Sequence, residues 1–216
     1  MITHDLIRRG CRLHLATLEV CTTGTTTLAA TATGYTRSAG SFLTDGFAIG
    51  MQLTPTGFTE SLPARILAVD ALTITTDLPR AVDAPGGGRS LTVGLPDVAW
   101  ENVRYTPTPG RVWMREEYLP GGGSNLTLGA FATLTQLPLY VLHVVCPQFQ
   151  DATACARYAD ALLRHFAPTT PLSVSGHTVT VRSDVVPSPS PLQSSGDGWV
   201  EVTVSIPLRV TTSNSR

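Results

Sequence analysis

The residues of this 216-residue chain that could ligate a metal or move a proton are five histidines, four cysteines and a few neighbouring acids. Cys11 and His14 are spaced i, i+3, which brings them to one face of a helix. His143 and Cys146 repeat that spacing inside LPLYVLHVVC, an apolar run that reads as a strand. On a strand an odd separation sends two side chains to opposite faces, so the two pairs do not make the closed four-ligand set that zinc needs. His4, His165 and His177 are scattered, and no G-x-S-x-G elbow is present, so no Ser/His/Asp grouping emerges. Gly86-Gly87-Gly88-Arg89-Ser90 lacks the lysine and the spacing of a phosphate-binding loop. Glu116 and Glu117 are strand neighbours pointing to opposite faces, which prevents one acting as the other's acid or base partner. Asn125-Leu126-Thr127 fits a glycosylation sequon, incidental in a chain with no export signal. The expectation is no catalysis, no metal and no cofactor.

The chemistry of contact is richer. Between Asp97 and Pro120 the sequence reads DVAWENVRYTPTPGRVWMREEYLP, interleaving Trp100, Trp113, Tyr105 and Tyr118 with Arg104, Arg111, Arg115, Glu101, Glu116 and Glu117. Pro109-Gly110 is a turn signal, so the stretch predicts a hairpin, AWENVRY and RVWMREEYL joined by TPTPG. In its second strand Val112, Met114 and Glu116 share one face, and Arg111, Trp113, Arg115 and Glu117 the other. Aromatics and arginine enrich at interfaces, which makes Arg104, Tyr105, Arg111, Trp113 and Arg115 the candidate contact residues.

Composition narrows the function classes. Hydrophobic residues make up 42% of the chain, enough for a core, so the chain is not disordered. Charged residues are only 14%, which suits a subunit with partners on several sides. A net charge of −1 argues against a bulk nucleic-acid binder. Neither a signal peptide nor a run long enough to span a membrane is visible. Folding in a cytosol is expected, with Cys11, Cys21, Cys146 and Cys155 as free, buried thiols.

Residues 2–15 predict an amphipathic helix with the stripe Ile7, Cys11 and Leu15, a Thr3 N-cap, and a small penalty at Gly10. From Thr17 the chain is threonine-rich and β-branched with regular turn signals, which predicts a small β-sandwich or barrel. Residues 81–91, AVDAPGGGRSL, read as a linker, and 121–129 as a flexible loop. Leu137 to Cys146 predicts a central strand buried on both faces. Ala152 to Phe166 predicts a helix, capped by Asp151, with the stripe Cys155, Ala159, Leu162 and Phe166. LSV and HTVTVR predict a hairpin turned at Ser175-Gly176, and residues 186–198 a mobile Pro/Ser loop. The last strand alternates, with Val200, Val202, Val204, Ile206, Leu208 and Val210 on one face, and Pro207 marks its distal half as an edge or bulge.

Taken in this order, the pieces resemble the tail terminator (tail completion) proteins of long-tailed bacteriophages. The resemblance is carried by the first helix, by Val98-Ala-Trp-Glu-Asn102 running into Tyr105-Thr-Pro-Thr-Pro-Gly-Arg111, and by Trp113-Met-Arg115. It continues through the strand at Tyr140 to Val145, the helix CARYADALLRHF, Gly176-His-Thr-Val-Thr-Val181, and Gly198 to Leu208. It covers residues 1–16 and 91–216. Residues 17–90 stand apart as an insertion, and Gly40-Ser-Phe-Leu-Thr-Asp-Gly-Phe47 with Ile49-Gly50-Met51 is similar to a small β module that recurs in phage tail proteins.

The resemblance implies an α+β fold, with a mixed, mostly antiparallel sheet packed by two helices, plus the inserted all-β barrel or sandwich. It implies a structural virion protein that caps the head-proximal end of the tail tube as a hexameric ring after assembly in the host cytoplasm. The implied partners are five further copies of the chain, the tail tube protein and a head-completion or neck protein. DNA would meet the ring lumen without sequence recognition, and no membrane is involved. Two other readings remain at this point: a different neck, connector or minor tail protein, and a carbohydrate-binding, host-surface module carried on the β insert.

Overall fold

The computed structural model describes residues 3–213 except 25, 126–132, 149–151, 175–176 and 197. Three helices are present: α1 (His4–Leu15), α2 (Phe42–Asp45) and α3 (Thr153–His165). One sheet is built from β1 (Glu19–Thr22), β2 (Leu28–Thr31), β3 (Gly34–Arg37), β4 (Gln52–Thr56), β5 (Ala64–Val69), β6 (Thr73–Thr76), β7 (Asp83–Gly86) and β8 (Ser90–Gly94). The other is built from β9 (Asp97–Ala99), β10 (Trp113–Leu119), β11 (Gly123–Asn125), β12 (Thr133–Gln136), β13 (Leu139–Pro147), β14 (Pro171–Val174), β15 (His177–Val181), β16 (Ser188–Pro189), β17 (Gln193–Gly196) and β18 (Trp199–Ser213).

The eight-stranded sheet has the order β1-β8-β4-β5-β6-β3-β2-β7, and the ten-stranded sheet is centred on β10-β13-β18. Strand therefore dominates, and the expected α+β sheet packed by two helices is corrected to a mostly β chain with two large sheets. The excess strand comes from segments without alternation. Residues 81–91, expected as a linker, supply β7 and the start of β8. Arg89 replaces the missing apolar anchors there by donating to the Leu28 and Gly57 carbonyls at 3.0 and 3.3 Å.

Helices α1 and α3 form where periodicity placed them, while α2 arises within the stretch read as all-β. In α1, Ile7, Cys11 and Leu15 are fully buried, and the Thr3 hydroxyl accepts from the Leu6 N–H. In α3, Cys155, Leu162 and Phe166 are fully buried and Ala159 nearly so, while Asp151 lies outside the described residues. Gly10 has a packing reason that its helix penalty concealed. A Cβ there would lie 2.5 Å from Val174 Cγ2 and 3.3 Å from the Ser173 carbonyl, so glycine lets β14 approach α1.

The central strands meet in register. Met114–Val144–Val202, Glu116–Leu142–Val204 and Tyr118–Tyr140–Ile206 form rungs on the face that carries the core. In β18, Val202 through Val210 alternate into that core as expected. Its distal half is paired on both sides, to β12 and β15, and is not an edge. Pro207 stands at the switch, where pairing to β13 ends and its carbonyl accepts from the Arg182 N–H at 2.9 Å.

Cys146 and Cys155 are joined as a disulfide, which corrects the expectation of four free thiols and ties the end of β13 to the first turn of α3. Cys11 and Cys21 remain free and buried, and burial pushes the Cys21 thiol up to about 12.

Polar contacts help fix α1. The Arg12 Nε donates to both Glu116 oxygens at 2.9 Å, Arg12 Nη2 makes a further ion pair with Oε2, and the Glu116 side chain is fully buried. At the helix C-terminus, the His14 and His165 rings stack with centroids 4.1 Å apart, each Nε2–H donating to the other residue's carbonyl at 2.9 and 2.8 Å. Each imidazole thus reaches a C-terminal carbonyl of the opposite helix, and the His14 carbonyl also accepts from the Thr17 N–H and hydroxyl at 3.0 and 2.7 Å.

Two outcomes are expected. Arg12→Ala leaves a buried carboxylate unpaired and costs on the order of 3 kcal/mol in urea unfolding, whereas Arg12→Met/Glu116→Leu recovers most of that loss. Burial holds the His165 pKa below its ordinary 6.5. The contribution from neutral His165 is therefore complete above pH 6.5 and is lost as pH falls through the depressed folded value. Denaturation midpoints taken from pH 7.5 to 5 should show that slope, and it should flatten in His165→Gln.

Candidate functional site

The expected hairpin at Asp97 to Pro120 does not form. β9 pairs parallel to β10, with Asp97 beside Trp113 and Ala99 beside Arg115, so residues 100–112 are a crossover and not a strand with a turn. The reason lies in Trp100 and Glu101, which serve α1. The Arg12 guanidinium stacks 4.7 Å over the Trp100 ring, and Arg8 donates to Glu101 at 2.9 Å. Val103 N–H then donates to the Trp100 carbonyl across a tight turn, with Asn102 at φ 65°. The Pro109-Gly110 turn is present, Gly110 taking φ 74°.

β10 divides its side chains as the alternation predicts. Met114, Glu116 and Tyr118 are buried with the core, while Trp113, Arg115 and Glu117 lie on the outer face. Across the sheet the outer rungs are Trp113–Val145–Glu201, Arg115–His143–Thr203 and Glu117–Val141–Ser205. At one end Trp113 packs against Tyr105 and edge-on against Trp199, with centroids at 5.3 and 6.3 Å. The Trp113 Nε1–H is buried without a hydrogen-bond partner among the described residues.

The middle of the face is polar. His143 Nε2 lies 3.3 Å from Glu117, and its Nδ1 lies 3.1 Å from the Thr203 hydroxyl and 3.4 Å from Glu201. Glu201 also accepts from Ser195 at 3.3 Å and sits 3.9 Å from Arg115, whose side chain is 51% exposed. A hydroxyl, an imidazole and a carboxylate in a row is the arrangement of an acyl-transfer triad. Here Glu201 competes for the same ring nitrogen, and the Thr203 N–H is taken by the Ser190 hydroxyl at 3.0 Å. The arrangement neutralises polar groups on a flat sheet. The sequence concealed it because Thr203 and His143 meet only through the β13–β18 register.

The five expected contact residues divide in two. Tyr105, Trp113 and Arg115 come together on the outer face, and Arg104 is exposed beside them with no ion pair among the described residues. Burial pushes the Tyr105 phenol up. Arg111 turns away to Asp77 of the eight-stranded sheet, 3.8 Å distant. Asp77 also accepts from the Arg65 backbone N–H at 2.9 Å and lies 3.6 Å from its guanidinium. Arg65 in turn reaches the Pro109 carbonyl at 3.4 Å, and Val112 N–H donates to the Gly50 carbonyl at 3.4 Å. Together these contacts hold the crossover against the eight-stranded sheet.

His143 and Cys146 fall on opposite faces, as their odd spacing requires, Cys146 being bonded to Cys155 on the core side. Cys11 is fully buried while His14 is committed to His165, so that pair does not converge either. Among the described residues no cluster of histidine, cysteine and acid side chains could hold a metal ion. No helix among them is long and apolar enough to cross a membrane.

The chain is mostly β, with an aromatic and charge-paired outer face on its ten-stranded sheet. Comparison with known proteins gives that class its particular family. The family model described as phage tail terminator protein matches residues 90–208, more than half of the chain. The chain belongs to the phage tail terminator protein family. The protein is accordingly a structural component of a phage tail, located in the virion. No curated protein matches it. A solved structure matches with 23% sequence identity and a TM-score of 0.43, covering 54% of this chain and 79% of that one.

The matched span begins at β8 and ends inside β18, so it takes in the whole outer face and leaves α1 and β1–β7 outside it. Asp77→Ala should free the crossover without unfolding either sheet. Hydrogen exchange should then speed up at least tenfold at the Val112 amide, while Val144 and Val204 stay protected.

Proposed function

We propose that this chain closes the head-proximal end of the phage tail tube as a ring of six copies, stops tube polymerisation there and forms the joint to the head or neck. The family match over β8–β18 carries this reading, and the outer face supplies its physical means. A closed ring needs a heterologous contact repeated about an axis, with different patches meeting on neighbouring copies. The Tyr105–Trp113–Trp199 cluster beside the half-exposed Arg115 is one such patch, matching the aromatic and arginine composition of contact cores. Arg104 lies at its rim, and Arg111 acts from behind by holding the crossover in place.

In this reading residues 1–16 and 91–216 form the terminator body, and 17–90 are a β module spliced in before the first strand of the match. The module is carried outward, where added volume does not obstruct ring closure. The partners are the tail tube protein on one rim and a head-completion or neck protein on the other. DNA passing the lumen is met without sequence recognition, in keeping with a net charge of −1. No cofactor takes part.

Purified chain mixed with tail tubes should give six-fold rings at one tube end, visible by negative stain. Trp113→Ala/Arg115→Ala should keep the wild-type circular dichroism spectrum while losing about 2 kcal/mol or more of contact energy, a drop of roughly 30-fold in ring occupancy at limiting concentration. Rings forming as well in this variant as in wild type would remove the outer face from the contact.

A further inference from the structure

Within residues 186–198, expected as a mobile loop, residues 188–196 form a strap along the edge of the N-terminal half of β18. Ser188 faces Ser205 and Pro189 faces Val204, and the Ser190 N–H donates inward to the Thr203 carbonyl at 2.7 Å. The Thr203 N–H donates back to the Ser190 hydroxyl at 3.0 Å. Backbone N–H groups alternate along a strand, so with Ser190 directed inward the residue whose N–H would point outward is Pro189, and proline has none.

The edge is irregular as well. Ser190 is bonded to Thr203 and Gln193 is paired with Glu201, so Pro191 and Leu192 together oppose Val202 as a bulge. A second register shift falls between Ser194 and Gly196, where Gly196 takes φ 78°. Space is not what keeps a strand out. A groove of about 450 Å³ runs between the strap and α3, lined by Ala152, Ala156, Ala159, Pro189, Leu192 and Val202.

We propose that the 188–196 strap is an edge block: it denies an incoming strand its backbone donor and its regular spacing, and so prevents a second copy of this chain from extending the ten-stranded sheet at this edge. Proline, bulges and short edge strands are the means by which natural sheets avoid edge-to-edge association. At this edge copies of the chain then do not join through a continuous sheet. The inference concerns the isolated chain and holds whether or not six copies close into a ring.

The test is sedimentation velocity on the full chain across a hundredfold concentration range, with hydrogen exchange on the strap. The variant Pro189→Thr/Pro191→Thr with Leu192 deleted restores outward donors and an even register. It should show its weight-average mass climbing continuously with concentration above that of wild type, through species that are whole multiples of 22.9 kDa, with the new amide at 189 protected from exchange. Pro189→Thr alone should show the same association more weakly, and it decides the matter if the fuller variant does not fold. Pro120→Ala removes an exposed proline outside any strand and should sediment as wild type. The proposal is overturned if folded Pro189→Thr and the fuller variant both sediment as wild type with a rapidly exchanging residue 189, or if Pro120→Ala associates as strongly as they do.

Discussion

The pairing of Arg12 with Glu116 is the constraint on which the rest of the terminator sheet depends. A fully buried carboxylate in the middle of a core face is tolerated only with a close, well-hydrogen-bonded cation, and α1 delivers one in bidentate geometry. The same guanidinium stacks on Trp100, so one side chain joins α1, β10 and the start of the crossover. The register of β10 follows from this arrangement. A one-residue slip would bring Glu117 to Arg12, but it would also carry Trp113 and Arg115 into the space of Val112 and Met114. Volume and like charge forbid that, and the outer face is fixed as the complement of the inner one. Tyr140 shares the environment, its phenol pushed well up by burial and then by the nearby Glu116 charge.

The parts legible in the sequence are those whose signal is a period. The α1 and α3 stripes, the alternation of β18 and the apolar run of β13 all report on a buried face; both helix stripes and the alternating residues from Val202 to Val210 are buried, while Val200 and Leu139 at the strand ends are partly so and Leu137 is exposed. The parts that were not legible depend on pairing across the chain. β9 lies parallel to β10 because Trp100 and Glu101 are recruited by a helix about ninety residues earlier. No local propensity encodes that. The strap at 188–196 and the strands at 83–94 carry proline, serine and glycine, which read as loop, yet β18 and Arg89 supply the ladder and the anchors from elsewhere. The Cys146–Cys155 bond likewise needs the β13–α3 turn to exist before the two sulfurs are neighbours.

The candidate surface was half legible for the same reason. Alternation put Trp113 and Arg115 together, because that decision is local to one strand. It also placed Arg111 with them, and there the tertiary structure differs: Asp77 draws Arg111 toward the eight-stranded sheet. Trp199, Glu201 and His143 complete the face from two other strands and carried no signal of their own. One face is thus aromatic and charge-paired, and the edge beside the N-terminal half of β18 is covered by the proline-bearing strap.

The central claim is that this chain ends the tail tube, and tail length measures it directly. Phage particles assembled without the chain should be imaged by electron microscopy and their tails measured against those of complete virions. The account predicts a broad distribution running well past the normal length, on tails that fail to join heads. Tails of normal, uniform length attached to filled heads would contradict it.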